Sequence, residues 1–196
     1  MHFHTRYSLD ATQQPRTIVE RLNRHPILNA IAITDHNTTK GYLETREYVK
    51  AYPDVLIIPG VEISAEEGEI IVLGLTELLP KPWKAQVIID HAKANGYVTI
   101  APHPYRGLGL KDLVKELNVD AIETLNGITE PRLNKQAQQV ANARKLPCTA
   151  GSDAHFDDDA WNVQTEIHGP FDVEAVLKAI KTGQTHALPI QNSAHF

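Results

Sequence analysis

The sequence predicts an α/β fold in which a mostly parallel β-sheet closes into a distorted barrel. Short apolar runs rich in β-branched residues alternate along the chain with stretches of helical character. Repeated βα units of this kind build a parallel sheet, which is either open or closed. No Gly-x-Gly-x-x-Gly sequence and no Walker-type lysine loop follows any of the runs. Because open nucleotide-binding sheets depend on such loops, we favour the barrel.

The apolar runs define about seven predicted strands, each bounded by polar residues or turn residues. They cover residues 3–6, 30–34, 55–58, 70–75, 97–101, 119–125 and 147–151. Most of the connections are long enough to hold a helix. The connection between 55–58 and 70–75 is too short for one, so we expect a hairpin-like or irregular crossover there.

The predicted helices fill the remaining connections and cover residues 15–25, 40–52, 83–95, 110–117, 130–145 and 172–182. Their boundaries carry the expected signals. Pro15 suits the first turn of a helix, and Asp172 can cap a helix N-terminus. Gly96 and Gly183 suit the left-handed position that follows a helix C-terminus.

Length and charge restrict the function classes. The chain of 196 residues is predicted to form one domain, 1–196, and it carries 19 Lys and Arg against 24 Asp and Glu, a net charge of −5. This balance disfavours a surface that follows an extended nucleic-acid backbone. No apolar stretch approaches the roughly 20 residues that cross a bilayer, and no secretion signal is recognisable. With Cys148 as the single cysteine, we expect a cytoplasmic protein without a membrane partner.

The ten histidines are the unusual feature of the composition. His2 and His4 flank Phe3 in the first predicted strand. Side chains two residues apart on a strand point to the same face, so both imidazoles can reach one cation. Asp10 follows shortly after, where the chain leaves this strand.

Other strand ends carry the same residue types. In a parallel barrel the C-terminal ends of the strands meet at one rim, where active sites are built. Imidazole and carboxylate without thiolate are typical ligands of Zn, Mn or Fe. Each motif alone is also found in structural roles, but their coincidence at strand ends favours a metal site. The candidate metal ligands are His2, His4, Asp10, His36, Glu62, His103, Asp153 and His155.

The other histidines have no matching partner motif and are predicted to be structural: His25, His91, His168, His186 and His195. Cys148 is expected to be a small buried residue of its strand. The acidic run 157–159 is expected to be a solvated loop.

The sequence resembles the PHP (polymerase and histidinol phosphatase) superfamily, with motifs in family order across nearly the whole chain. The motifs are His-Phe-His-Thr with Ser8 and Asp10, Ile33-Thr34-Asp35-His36-Asn37, Gly60-Val61-Glu62-Ile63-Ser64, Pro102-His103-Pro104 and Gly151-Ser152-Asp153-Ala154-His155. The resemblance implies a distorted (β/α)7 barrel that holds two or three divalent ions (Zn, Mn or Fe).

The resemblance also implies how the ligands are shared. His2, His4, Glu62 and Asp153 would surround one ion. Glu62 would bridge to a second ion that takes His103. A third ion would be held by Asp10, His36 and His155.

One position departs from the family pattern. Many small members carry a further histidine on the strand after the bridging glutamate, and Ile71 stands at that place here. The second ion would then be bound weakly or be completed by water, by Glu69, or by Glu66 or Glu67. The sequence does not choose among these.

A cluster of divalent ions suits phosphoester hydrolysis, because it activates water and neutralises phosphoryl charge. We therefore predict a metal-dependent phosphoric ester hydrolase that uses a metal-activated hydroxide at a di- or trinuclear site. The expected substrate is a small phosphorylated metabolite, a nucleotide or a short oligonucleotide. Arg106 is the candidate for binding the phosphate, or else it forms a salt bridge at the rim. Asp35 is expected to orient His36.

Two alternatives stay open. One is a non-catalytic, metal-binding accessory domain of a nucleic-acid-processing assembly. The other is a metal hydrolase that acts on a non-phosphate bond, such as an amide. Such an amidohydrolase would be marked by a carboxylated lysine that bridges two ions, and no lysine lies at a proposed ligand position.

Overall fold

The computed structural model describes residues 1–190 and is built on a curved six-stranded sheet. The strands lie in the order in which they occur along the chain. They are β1 (Ala30–Ile33), β2 (Leu56–Ala65), β3 (Gly68–Leu73), β4 (Val98–Ala101), β5 (Ala121–Asn126) and β6 (Cys148–Gly151). The helices are α1 (Pro15–Arg24), α2 (Lys40–Val49), α3 (Ala85–Ala94), α4 (Pro131–Arg144) and α5 (Val173–Lys181). The alternation of strands and helices confirms the predicted α/β class.

The sheet is parallel except around β3. Strand β1 pairs in parallel with β2, and β5 pairs in parallel with β4 and β6, whereas β3 is antiparallel to both of its neighbours. Strands β2 and β3 form a hairpin in which Ala65 pairs with Gly68 and Glu62 pairs with Ile71. The hairpin-like connection predicted at this point is confirmed.

The segment around Phe3 connects the two edges of the sheet. Phe3 forms a parallel bridge with Ala154, just beyond β6, and its carbonyl accepts the N–H of Thr34, just beyond β1, at 2.9 Å. The distorted (β/α)7 barrel is thus confirmed, with its first strand reduced to a single bridging residue. The prediction of a strand over 3–6 was too long, because the backbone turns where the Ser8 N–H reaches the Thr5 carbonyl.

Apolar side chains fill the inside of the barrel and pack against α5. Ile71 and Ile100 belong to this interior cluster together with Val98, at the start of β4. Val176 and Ile180 of α5 join the same cluster. Because α5 packs against the start of β4, it covers the end of the barrel where the parallel strands begin. The opposite end, where they finish, is left for polar side chains.

Two further elements differ from the prediction. Residues 110–117 contain a 3₁₀-helix, Lys111–Lys115, instead of an α-helix. Lys111 has a φ of 53°, which interrupts regular helical geometry at its start. The second difference is a two-stranded antiparallel sheet, β7 (Val163–Glu166) with β8 (His186–Pro189). Both strands are short and mixed in polarity, so no apolar run marked them.

None of the helices in residues 1–190 combines the length and the apolar character that crossing a membrane requires.

Candidate metal centre

The structure brings all eight predicted ligand residues together at the open end of the barrel. They come from the Phe3 segment, the turn after it, the loop after β1, strand β2, and the loops after β4 and β6. Seven of them, all but Asp10, belong to groups of side chains close enough to share an ion, and one of these groups also includes Glu69. The eight residues are His2, His4, Asp10, His36, Glu62, His103, Asp153 and His155.

The tightest group consists of His2, His4, Glu62 and Asp153, which are essentially buried. The Nε2 atoms of His2 and His4 lie 3.0 Å apart. Glu62 Oε2 lies 3.1 Å from His2 Nε2 and 3.3 Å from His4 Nε2. Asp153 Oδ1 lies 3.2 Å from both nitrogens. The two imidazole nitrogens thus each lie within 3.3 Å of both carboxylate oxygens.

The separations within this group are similar to those of ligands that share one ion, and His2, His4 and Asp153 form a group close enough to do so. Four ligands about 2.0 Å from a central zinc ion stand about 3.3 Å from one another. The five separations given above range from 3.0 to 3.3 Å. The donor set of two imidazoles and two carboxylates also suits Zn, Mn or Fe. The residues present therefore fit a divalent metal ion.

Glu62 presents its two carboxylate oxygens to different histidines. Oε2 faces the tight group and also lies 3.2 Å from His36 Nδ1. Oε1 lies 3.3 Å from His103 Nε2, and it is buried without a hydrogen-bond partner in the described part of the chain. Glu69 lies near the same two histidines, 3.8 Å from His103 Nε2 and 3.8 Å from His36 Nδ1.

A third group lies closer to solvent and includes Asp10. Asp10 Oδ2 lies 3.7 Å from His36 Nε2 and 3.5 Å from His155 Nε2. The ring of His4 stacks on that of His155 with centroids 4.1 Å apart, which connects this group to the buried one. The Asp10 side chain is 60% exposed, so this group is the most open to solvent.

Burial and charge shift the pKa values of the site in opposite directions. Burial opposes ionisation of Glu62, yet the imidazoles of His2, His103 and His4 hold its pKa well below the usual range. Burial likewise disfavours a charged His4, but Asp153 and Glu62 raise its pKa to about 9. Glu62 thus stays negatively charged because protonated imidazoles lie beside it.

The buried carboxylate of Glu123, on β5, orients His2. The Nδ1 atom of His2 lies 3.2 Å from Glu123 Oε1, while Glu123 Oε2 accepts the backbone N–H of His103 and the side-chain amide of Asn126, each at 2.9 Å. A Cβ atom at Gly151 would collide with Glu123 and His2. Because a carboxylate only accepts, Nδ1 of His2 carries a ring proton, and its Nε2 atom is the nitrogen that faces the site.

Ser8 orients His4 in the same way. Its hydroxyl donates to Asp35 Oδ1 at 2.8 Å, so the oxygen accepts from His4 Nδ1 at 3.0 Å and from the His36 N–H at 3.0 Å. Asp35 also accepts the N–H and hydroxyl of Thr5 at 2.7 and 2.8 Å. Asp35 therefore acts on His4 and on the His36 backbone through Ser8, and its expected influence on His36 reaches the backbone N–H rather than the ring.

Comparisons with known proteins identify the family of this chain. Residues 131–185 match the family model described as PHP-associated. The chain is 36% identical over 138 residues to the uncharacterized protein MJ1587 of Methanocaldococcus jannaschii, covering 64% of this chain and 80% of that protein. This chain belongs to the PHP superfamily. The resemblance on which the sequence analysis relied is confirmed.

Two solved structures share the PHP fold at low sequence identity. One is a provisionally named metal-dependent phosphoesterase from Bifidobacterium adolescentis, with a TM-score of 0.63 and 19% identity over 79% of this chain and 86% of that one. The other is endonuclease Q in complex with a 27-mer DNA duplex that carries an abasic lesion, with a TM-score of 0.61 and 14% identity. That alignment covers 93% of this chain, which spans about half (55%) of endonuclease Q.

Arg106 lies at the edge of the PHP site, but its guanidinium is directed inward. Its Nη2 atom contacts Asp153 Oδ2, which also accepts a hydrogen bond from the amide of Asn126 at 3.1 Å. The Arg106 side chain is 31% exposed. The structure therefore shows the salt bridge that we gave as the alternative, with a ligand candidate as the partner.

Two residues of the site were not predicted from the sequence, and a third was left undecided. Glu123 and Asn126 were not among the predicted site residues, although Glu123 lies in the middle of the apolar run 119–125, and a charged residue at such a place can indicate a functional role. Glu69 was one of several candidates near Ile71. The side chain of Ile71 is buried in the apolar interior of the barrel. Because it has no donor atom, it cannot take the place of the family histidine as a ligand.

The other histidines in the described residues lie outside the ligand groups. His25 follows α1 and its Nδ1 accepts the N–H groups of Ile27 and Leu28. His91 lies in α3, His186 is in β8, and His168 is exposed beside Glu166. His195 lies outside the described residues. Cys148 is half-buried rather than buried, with its sulfur 3.3 Å from the amide nitrogen of Gln138.

Proposed function

We propose that this PHP domain is a metal-dependent phosphoesterase with a di- or trinuclear site. The observation that carries the proposal is the convergence of His2, His4, Glu62 and Asp153, together with the second oxygen of Glu62 on His103. A carboxylate whose two oxygens face separate histidine sets is suited to bridge two ions. We further propose that residues 1–196 form a single domain, because Phe3 joins both edges of the sheet.

The ligand residues would divide among the ions as follows. His2, His4, Glu62 and Asp153 would hold the first ion. Glu62 and His103 would contribute to the second, and Asp10, His36 and His155 to the third. The contacts from Glu123 and Ser8 support this division, because they keep the Nε2 atoms of His2 and His4 directed at the site, where a metal ion would replace their protons.

When bound, divalent ions lower the pKa of coordinated water and neutralise charge on a phosphoryl group. The protein's own contribution is to hold the ligands and to position the ester. Asp10, His36 and His155 line the more exposed side of the site, so the ester would approach there. Arg106 would turn from Asp153 to a phosphate oxygen once a metal ion compensates the Asp153 charge, because its planar guanidinium can bind phosphate through two N–H groups.

The substrate class is a phosphorylated metabolite, a nucleotide or a short nucleic acid. The shared fold of a phosphoesterase and of an endonuclease seen with DNA is compatible with phosphate monoesters and with phosphodiesters. The net charge of −5 favours the small substrates over a long duplex. We therefore expect a short or terminal phosphate group to be hydrolysed in preference to an internal one.

The test is a panel of phosphate monoesters and diesters assayed with added Mn²⁺, Zn²⁺ or Fe²⁺. Glu62→Gln and Asp153→Ala should each lower kcat/KM at least about a hundredfold, since loss of even an outer partner of a ligand costs about 10–100-fold. Glu66→Gln is the control, because Glu66 is exposed and pairs only with Lys84, at 3.8 Å, among the described residues. Hydrolysis by both ligand variants at the wild-type rate would show the proposal to be wrong.

A further inference from the structure

We propose that Glu69 is a metal ligand and replaces the histidine that many small PHP members carry at the position of Ile71. The inference rests on the proposed function, because it assigns a further ligand to the same metal site. It gives the second ion two carboxylates, from Glu62 and Glu69, beside the imidazole of His103, and Glu69 lies equally far from His36, at 3.8 Å.

The register of the β2–β3 hairpin places Glu69 at the site. Glu62 pairs with Ile71, and alternate residues of β3 face the barrel interior. Ile71 and Leu73 on this face belong to the interior apolar cluster. Glu69 lies on the same face, two residues nearer to the hairpin turn, where the strand reaches the open end of the barrel.

The Glu69 side chain is buried and directed at two ligand candidates. It is 8% exposed, and its Oε2 atom lies 3.8 Å from His103 Nε2, while Oε1 lies 3.8 Å from His36 Nδ1. Both distances are too long for a hydrogen bond. No donor within residues 1–190 makes a hydrogen bond to its carboxylate. A largely buried carboxylate that accepts no hydrogen bond from the protein is poorly compensated, so a cation between Glu69 and the histidines would stabilise it.

The other two glutamates that could have filled this place point elsewhere. Glu66 is 59% exposed and lies 3.8 Å from Lys84. Glu67 accepts the backbone N–H of Ala85 at 2.8 Å and so satisfies a donor at the start of α3. Only Glu69 of the three approaches the metal centre in the part of the chain that the structure describes.

The exchange of histidine for glutamate has a chemical consequence. Carboxylate oxygens suit Mn²⁺ better than imidazole does, whereas imidazole suits Zn²⁺. A site with two carboxylates and one imidazole should therefore favour Mn²⁺ over Zn²⁺ more than a site with two imidazoles. The residue at position 69 thus sets the metal preference of the second ion.

The experiment is a titration of the full chain, stripped with chelator, with Mn²⁺ alone and with Zn²⁺ alone, followed by calorimetry and elemental analysis. Glu69→Gln should lower the affinity for one Mn²⁺ at least about tenfold, the smallest effect expected when a ligand's support is lost. Glu69→His should bind Zn²⁺ with a preference over Mn²⁺ that exceeds that of the wild type. Glu66→Gln is the matched control and should bind as the wild type does.

Two results would overturn the inference while leaving the proposed function intact. The first is a folded Glu69→Gln variant, verified by circular dichroism, that binds Mn²⁺ with the stoichiometry and affinity of the wild type. The second, which decides the matter if Glu69→Gln does not fold, is a Glu69→His variant with an unchanged preference between Zn²⁺ and Mn²⁺. A wild-type chain that binds neither ion would overturn the proposed function and this inference together.

Discussion

Replacing Ser8 with alanine tests whether the hydrogen bonds behind the ligands organise the metal centre. The Ser8 oxygen accepts from His4 Nδ1 and from the His36 N–H, both at 3.0 Å, and its hydroxyl donates to Asp35. Ser8 is not one of the proposed metal ligands. Any loss of metal affinity in Ser8→Ala would therefore arise through the orientation of His4 and His36.

The magnitude follows from the bonds that are lost. Ser8→Ala leaves the buried Nδ1–H of His4 and the partly buried N–H of His36 without a partner, and a lost partner costs about 1–3 kcal/mol for a buried donor and less for a partly buried one. Asp35 loses the hydrogen bond from Ser8 but keeps its two hydrogen bonds from Thr5, so the free-energy cost at Asp35 is smaller. We expect the free energy of unfolding to fall by about 2–4 kcal/mol, near the upper end of usual point-mutant effects. The ring of His4 also becomes free to move its proton to Nε2, which should lower metal affinity about 10–100-fold.

The assay combines denaturant unfolding with calorimetric titration of Mn²⁺ and Zn²⁺. The control is Ser64→Ala, because the Ser64 hydroxyl accepts only from Asn37, at 3.1 Å, among the described side chains. Ser64→Ala should change metal affinity less than about threefold, within the small range of surface substitutions. A Ser8→Ala variant that binds both ions as tightly as the wild type would refute the reasoning.

Three further predictions concern stability. Gly41→Ala should destabilise the fold by about 1–3 kcal/mol in thermal unfolding, although alanine usually favours a helix, because its Cβ would collide with the Asp35 carboxylate. Burial lowers the pKa of His25, whose Nδ1 accepts the Leu28 N–H. The contribution of neutral His25 to folding stability is therefore present above about pH 6.5, and it is lost as the pH falls through the lower pKa of the folded state. His25→Asn should then show a flatter loss of stability from pH 7 to pH 5 than the wild type, and an identical loss would contradict this. Lys145→Gly should raise the free energy of unfolding by about 1 kcal/mol, because Lys145 ends α4 with a left-handed φ of 55° that glycine adopts without strain.

The part of the site that follows parallel strands could be predicted from the sequence. His103 and Asp153 follow β4 and β6, and C-terminal ends of parallel strands meet at one rim whatever the details of packing. Glu69 could not be assigned by that rule. Strand β3 runs antiparallel, so its first residues, not its last, lie at the open end of the barrel. The direction of a strand depends on pairing, which an apolar run does not specify.

The residues that orient the ligands were also beyond the sequence pattern. Glu123 lies inside a strand, and its contact with His2 depends on the Phe3 segment closing the barrel beside β6. That closure joins residues about 120 positions apart in the chain. Asn126 reaches Asp153 because β5 pairs in parallel with β6 and places Asn126 opposite Gly151. Local periodicity identifies the face of a strand, but the partners on that face are fixed only by the tertiary structure.

Charge balance couples the carboxylates and the histidines of the metal centre, so that they do not behave as independent pairs. Glu62, Glu69 and Asp153 are at least nine-tenths buried at the open end of the barrel, and Arg106 is the only arginine or lysine that pairs with any of them in residues 1–190. Buried carboxylates require compensating charge. Protons on the imidazoles supply it in part, since His4 has a pKa raised to about 9, and divalent ions would replace those protons. Removal of any one carboxylate therefore alters the charge that all the histidines experience, and the effects of combined substitutions in this site should not be additive.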